Sequence, residues 1–244
     1  MHWSEAFFTD LYRRIGLDPK LQLGPEQAEK IKKALRLRKG SSVLDLCCGI
    51  GRHSVPLAKM GIRVTGFDMN AAYLSRARSL ARREGVKVRF IRGDMRELDF
   101  KAEFDAVINM FTSFGYYDDE TNLRILQRIG KALKPKGRLL LDTINRDFLV
   151  ADFRKWRMEE IGGELLLNRH EFDPRTSRLK TRWRFIKGGS VEDMGGFDLR
   201  TYSLHELIAM IESAGMAVTG TYGGLGREPF KLDSNRIVIV AAKS

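Results

Sequence analysis

The chain has 244 residues, with 43 Lys+Arg against 31 Asp+Glu, a formal charge of +12. That length suits one large domain or a domain with a sizeable insertion, and 43% hydrophobic residues exclude wholesale disorder. No apolar run reaches the ~18 residues a membrane helix needs, the opening residues Met1 to Glu5 hold no secretory signal, and Cys47 and Cys48 are adjacent and build no disulfide framework, so a reducing, cytoplasmic setting is expected.

Residues 1–40 read as a helical cap. Ala6, Phe7, Leu11 and Ile15 recur at helical spacing, and Pro25 opens a second segment through Ala28, Ile31, Ala34 and Leu35. Trp3, Phe7, Phe8 and Tyr12 suit either a lid over a ligand or a packing helix. Short apolar strands then alternate with helices. Strands are expected at 42–46, 62–67, 86–91, 104–110 and 138–144, and helices at 52–60, 71–84 and 119–134. That alternation implies parallel βαβ units in a doubly wound sheet, which binds ligands beyond the carboxyl ends of its strands. From 146 to 201 the pattern breaks. Residues 165–172 and 179–186 read as antiparallel strands joined by a turn at 173–176, forming an inserted sheet. A helix at 203–214 and strands near 216–222 and 236–242 return to the main fold. The expected division is therefore a cap (1–40), a main domain (41–145 and 202–244) and an insertion (146–201).

The strongest local signal is Val43-Leu44-Asp45-Leu46-Cys47-Cys48-Gly49-Ile50-Gly51-Arg52, a strand running into a glycine turn that opens a helix. Glycine permits positive φ and a close ligand, and the helix start supplies free N–H groups. The third position of a dinucleotide fingerprint is Ser54 rather than glycine or alanine. Asp45 at the strand end would repel a pyrophosphate but favour a ligand bearing an ammonium and a sulfonium. S-adenosylmethionine has both charges and no phosphate. Asp68, 17 residues after Gly51, can accept from both hydroxyls of a ribose, in that ligand as in NAD. Asp94 suits an adenine amino group and Met95 its ring face, although Met95 alone would read as ordinary core.

Asp45 to Gly51, Asp68, Asp94-Met95, Phe104-Asp105-Ala106-Val107 and Leu133 to Leu139 together resemble the successive motifs of class I S-adenosylmethionine-dependent methyltransferases, in order, over roughly residues 40–145. The resemblance implies a seven-stranded Rossmann-like sheet of order 3-2-1-4-5-7-6 with an antiparallel last strand. It implies the methionine moiety on Asp45 to Gly51, ribose on Asp68, and adenine on Met69 and Asp94-Met95. The cofactor-binding set it suggests is completed by Cys47, Gly49, Arg52, His53, Asn109, Met110 and Phe111. Lys136 stands where the family usually has glycine. Residues 109–116 and 142–146 resemble small-molecule enzymes, and the inserted sheet resembles that of N-methyltransferases acting on amino sugars and similar metabolites.

The expected function is methyl transfer to a small-molecule amine nitrogen or hydroxyl, with S-adenosylhomocysteine as product. Displacement at a sulfonium needs alignment and exclusion of water more than an acid–base pair, and no catalytic residue is singled out. Tyr116, Tyr117, Arg146, Arg184 and Tyr202 are the candidates for the acceptor pocket. His2, His53, His170 and His205 have no metal-ligand spacing, and no metal is expected. No Asn/Asp-Pro-Pro-Tyr signature or Pro-Cys nucleophile is present. The charge of +12 keeps an RNA methyltransferase open as a less favoured alternative, a non-catalytic cofactor-binding module is a second, and a monomer or a homodimer through the inserted sheet is expected.

Overall fold

The structure, a computed structural model, describes residues 7–243, so Met1 to Ala6, including His2 and Trp3, lie outside it. The cap begins with a helical turn at Asp10–Tyr12, continues through a wide turn at Arg13–Leu17 and a tight one at Asp18–Leu23, and runs into α1 (Gly24–Leu35), which Pro25 starts. The main domain follows as β1 (Ser42–Leu46), α2 (Ser54–Lys59), β2 (Arg63–Asp68), α3 (Ala71–Arg83), β3 (Arg89–Arg92), β4 (Phe104–Asn109), α4 (Asp119–Ala132) and β5 (Leu133–Ile144). A short α5 (Arg146–Ala151) leads into β6 (Trp156–Ile161), β7 (Glu164–Asp173), β8 (Arg178–Lys187) and β9 (Ser190–Arg200). The chain closes with α6 (Leu204–Ser213), β10 (Met216–Tyr222) and β11 (Arg236–Lys243).

One sheet has the order β10-β11-β5-β4-β1-β2-β3, parallel except for β11, which runs antiparallel to β5 and β10. Counted within this sheet, that is the expected order 3-2-1-4-5-7-6. Its two faces carry separate cores. Leu46, Val107, Leu139 and Ile239 lie under α4 and α6, while Val43, Ile108, Leu140 and Val240 lie under α1 and α2. β5 begins five residues earlier than its apolar run suggests, because Pro135 disfavours helix at Lys134 and forces the extended state there.

The second sheet is antiparallel, of order β6-β7-β8-β9. It has four strands where the alternation pattern predicts two. β6 is exposed along nearly its whole length and so shows no alternation, and β9 is interrupted by Gly195-Gly196, where the pairing with β8 shifts between Arg182 and Arg184. Its inner face packs Leu166, Phe185 and Met194 on Leu11 of the cap, with Tyr12 and Trp183 beside them. Among the described residues, no helix is long and apolar enough to cross a membrane.

Candidate active site

Beyond the carboxyl ends of β1, β2, β3 and β4 lies a cavity of about 540 Å³, within the ~300–1,000 Å³ of small-molecule sites. Its floor is the glycine turn after β1. Cys47, Gly49 and Gly51 have φ of 62°, 54° and 83°. The two glycines do different work. A Cβ built on Gly49 would meet nothing within 4 Å, so its backbone borders open space, whereas one on Gly51 would stand 3.1 Å from Ala77 Cβ and push α3 away.

Asp68 ends β2 and ties this turn to the next. Its Oδ2 accepts the Gly49 N–H at 2.8 Å and its Oδ1 the Asn70 N–H at 2.8 Å. Burial nevertheless pushes its carboxyl above the ordinary range. Asn70 then caps α3 by accepting from the Ala72 and Tyr73 N–H groups. Its Nδ2 donates to the Phe8 carbonyl at 2.8 Å, and the Tyr73 hydroxyl donates to the Thr9 carbonyl at 3.0 Å. The cap is thereby pinned across the cavity mouth. After β3, Asp94 receives Arg96 at 2.6 Å, and Met95 Sδ lies 3.7 Å from Cys47 Sγ.

The opposite wall is basic and aromatic. Phe111 and Thr112 both have φ of 60°, two successive left-handed residues, and the Asp142 carboxylate accepts the Phe111 N–H at 3.0 Å. The Arg52 guanidinium lies 4.5 Å from the Phe111 ring centre and the Lys20 ammonium 5.5 Å from it. Arg52 is buried, and its Nη1 has no hydrogen-bond partner among the described residues.

The histidine, tyrosines and cysteines at this cavity are held away from neutrality. Burial, reinforced by Arg52, pushes His53 down to about 3, and its Nε2 is paired with Gln27 Oε1 at 2.9 Å. Burial pushes Tyr12 and Tyr117 up to about 12 and raises Tyr116, Cys47 and Cys48 well above their ordinary values.

Of the residues expected at the cofactor, the cavity brings together Cys47, Gly49, Arg52, His53, Asp68, Met69, Asp94, Met95, Met110 and Phe111. Asp45, Gly51 and Asn109 stand behind its wall. Asp45 is 1% exposed, accepts the Ser54 hydroxyl at 2.5 Å, and is pushed up to about 7 by burial. It braces the start of α2 where a direct contact with a cation was expected. Asn109 donates from Nδ2 to the Leu46 carbonyl at 3.2 Å. Of the acceptor candidates, Tyr116 and Tyr117 line the cavity. Arg146 is instead paired with Asp147, and Tyr202 is buried, donating to Asp119 at 2.7 Å and accepting from Asn122 at 2.9 Å. Arg184 sits exposed on β8, paired in register with Leu167 and Asp193.

Sequence reasoning passed over Asn70, Tyr73, Arg92 and Leu17, which also border the cavity. Only Asn70 carried a signal, as a helix-capping residue two positions after Asp68. Among the described residues, no cluster of three or more His, Cys, Asp or Glu is placed to hold a metal ion.

A parallel sheet with one antiparallel strand, and a cavity over a glycine turn and an acidic strand end, define a doubly wound α/β protein with its cavity where such sheets hold ligands. The fold and the motifs along it are those of the class I S-adenosylmethionine-dependent methyltransferases. Residues 43–137 match the model of a methyltransferase domain. The cypemycin N-terminal methyltransferase of a Streptomyces species is 26% identical over 82% of both chains. Other curated relatives are matched over only about half their length, 44% and 46% in two of them. The CcbJ methyltransferase of Streptomyces caelestis shares the fold, with a TM-score of 0.80 at 22% identity over 91% of this chain and 90% of that one. The sugar N-methyltransferase KedS8 of Streptoalloteichus sp ATCC 53650 also shares it, with a TM-score of 0.69 at 20% identity over 96% and 92%.

Proposed function

We propose that the protein transfers a methyl group from S-adenosylmethionine to the nitrogen of a small-molecule amine. The residues present suit that donor. Asp68 keeps its carboxylate at the cavity for the ribose hydroxyls, Met95 and Asp94 suit the adenine, and the backbone at Gly49 has room beside it. The unpartnered Nη1 of Arg52 matches the carboxylate of the methionine moiety. When bound, the donor supplies a methyl group on a positively charged sulfur, already activated for displacement. The protein then has to exclude water, which the pinned cap at Phe8 and Thr9 does, and to orient the acceptor.

The observation that carries the choice of nitrogen is the protonation state of the cavity wall. His53 at about 3 is neutral but already paired with Gln27, and the tyrosines are locked as phenols. A hydroxyl acceptor needs a base to take its proton as the bond forms. A neutral amine uses its own lone pair and sheds its proton to solvent afterwards. A sugar N-methyltransferase among the fold neighbours and an N-terminal methyltransferase among the relatives favour the same atom.

The test is a screen of paired acceptors, each amine with its hydroxyl counterpart, with methyl-labelled donor and purified protein. Label is expected in amines, with a rate that rises with pH as the ammonium deprotonates. Transfer to hydroxyls at comparable rates would sink the nitrogen reading, and absence of S-adenosylhomocysteine binding by calorimetry would sink the donor.

A further inference from the structure

Three cations gather on the Phe111 ring, in the wall opposite the acidic strand ends. The Arg52 guanidinium lies 4.5 Å from the ring centre, the Lys20 ammonium 5.5 Å and the Arg236 guanidinium 5.9 Å. They come from the glycine turn before α2, the tight turn of the cap and the start of β11, so the fold and not a local sequence run brings them together.

Of the three, Arg236 has a carboxylate. Its Nε and Nη2 reach Asp142 Oδ1 at 2.9 and 2.7 Å, while Asp142 Oδ2 accepts the Phe111 N–H at 3.0 Å, so both oxygens of that carboxylate are engaged. Among the described residues neither Lys20 nor Arg52 forms an ion pair. Lys20 Nζ donates to the Gly16 carbonyl at 2.9 Å, and Arg52 Nη1 has no hydrogen-bond partner. Asp45 and Glu159 act on Arg52 and Lys20 from beyond ion-pair distance, and Asp45 is bonded to Ser54 behind the wall. Lys20 is half-buried, and burial together with the Arg52 charge lowers its pKa. Two like charges beside one ring repel each other and have given up part of their water; an anion placed there offsets both costs.

The donor brings one carboxylate, on its methionine moiety, and that group suits Arg52. It brings none for Lys20. We infer that Lys20 receives an anionic group, a carboxylate or a phosphate, carried by the acceptor itself, so that the amine to be methylated belongs to an amino acid or an aminoalkyl phosphate. Arg236 adds a third positive charge at the same place. Phe8, Tyr12 and Tyr116 line the same cavity and suit the carbon frame between the amine and the anion. This deepens the methyl-transfer reading and rests on it.

The experiment uses the full chain saturated with S-adenosylhomocysteine. It is titrated calorimetrically with glycine, β-alanine, phenylalanine and 2-aminobenzoate, each beside its carboxamide, and with phosphoethanolamine beside ethanolamine. At least one anionic amine is expected to bind, at least tenfold more tightly than its neutral partner. Binding of a carboxylate names amino acids as the class; binding of phosphoethanolamine alone names aminoalkyl phosphates. Lys20→Met is expected to weaken that amine at least tenfold while leaving its neutral partner and S-adenosylhomocysteine within twofold, and Lys20→Arg to keep the preference. Failure of every anionic amine to bind the loaded wild type overturns the proposal, as does equal binding by the neutral partners. So does a Lys20→Met variant that loses S-adenosylhomocysteine instead, which would give both cations to the donor's own carboxylate. If the wild type does not bind S-adenosylhomocysteine, the donor reading fails separately. The same titrations on the unloaded protein then decide the Lys20 site alone, by whether Lys20→Met abolishes the preference for the anionic amine.

Discussion

Along β1 all five residues, Ser42 to Leu46, are buried, whereas along β7 Leu166 and Asn168 are buried and Arg169 and Glu171 beyond them are exposed. The first strand lies between two helical layers and the second has one face to solvent. The two sheets also treat polar groups differently. In the main sheet Asp45 is bonded to Ser54, Asn109 to the Leu46 carbonyl, and Asp68 to two backbone N–H groups. In the inserted sheet Asn168 Oδ1 and His170 Nδ1 have no partner. The main sheet ties each of these three residues to a neighbouring group, leaving only Asn109 Oδ1 unpaired, whereas the inserted sheet leaves an atom of both Asn168 and His170 unpaired.

The largest expected effect falls on the main sheet. Asp68→Ala removes the acceptor of the Gly49 and Asn70 N–H groups as well as the proposed ribose contact. At ~1.5–3 kcal/mol for each charge-assisted bond, affinity for S-adenosylhomocysteine should fall about 1,000-fold, with the far-ultraviolet circular dichroism unchanged. An affinity within threefold of the wild type would mean that this carboxylate only supports the turn.

Next is Asp45. Its pKa of about 7 when folded, raised by burial, lies above the ordinary carboxylate value near 4, so between those pH values the folded state holds a proton that the unfolded state has lost. Stability is therefore fully present below about pH 4 and declines as pH rises to about 7, by roughly 4 kcal/mol. Asp45→Asn should flatten that decline in urea unfolding midpoints measured across pH 4–8. An unchanged slope would place the pH dependence elsewhere.

The opposite sign is expected on the inserted sheet. Asn168→Leu exchanges an unsatisfied buried carboxamide for a side chain that matches Leu166 and Leu179, and should stabilise the protein by about 1 kcal/mol. That corresponds to a melting temperature higher by roughly 2–4 °C for a chain of this size. A lower melting temperature would show that the carboxamide has a structural partner and would dissolve the contrast between the sheets.

The same contrast governs what the sequence displayed. The order of the main sheet follows from the alternation of strands and helices, and Asp68 is readable because a strand end, a glycine turn and a spacing of 17 residues converge on it. Asp45 was readable in position but not in role. A carboxylate beside a glycine turn looks the same in sequence whether it faces a ligand or, as here, a serine hydroxyl behind the wall. Tyr202 and Arg146 misled for a related reason. Both follow strand ends near the cavity, but Asp119 and Asn122, which engage Tyr202, are identified only by tertiary packing, and Arg146 is turned to its chain neighbour Asp147. β6 was invisible because a strand exposed on both sides has no period of two. Asn168 and His170 lay within an expected strand. Their significance depends on which face of that strand is covered, and the covering elements, α5 and β6, are the least patterned in the chain.

The smallest expected effect concerns the charge. The densest basic stretch, residues 76–92, is largely engaged by the protein itself. Arg78 donates to the Phe90 carbonyl at 3.1 Å, Arg92 to the Met69 carbonyl at 3.2 Å, and Arg89 pairs with Glu103 at 2.9 Å. These contacts lie at the surface, where a salt bridge contributes ~0.2–1 kcal/mol and weakens with salt. Arg89→Ala should therefore cost about 0.5 kcal/mol and lower the melting temperature by only 1–2 °C, a difference that vanishes at 1 M salt. If this stretch instead formed a phosphate-binding stripe, the substitution would leave stability unchanged and reduce the salt dependence of binding to single-stranded RNA by about one counterion. Thermal melts and RNA titrations on the one variant thus separate a surface held by its own ion pairs from one kept for a polyanion, and the pairing of Arg89 with Glu103 favours the former.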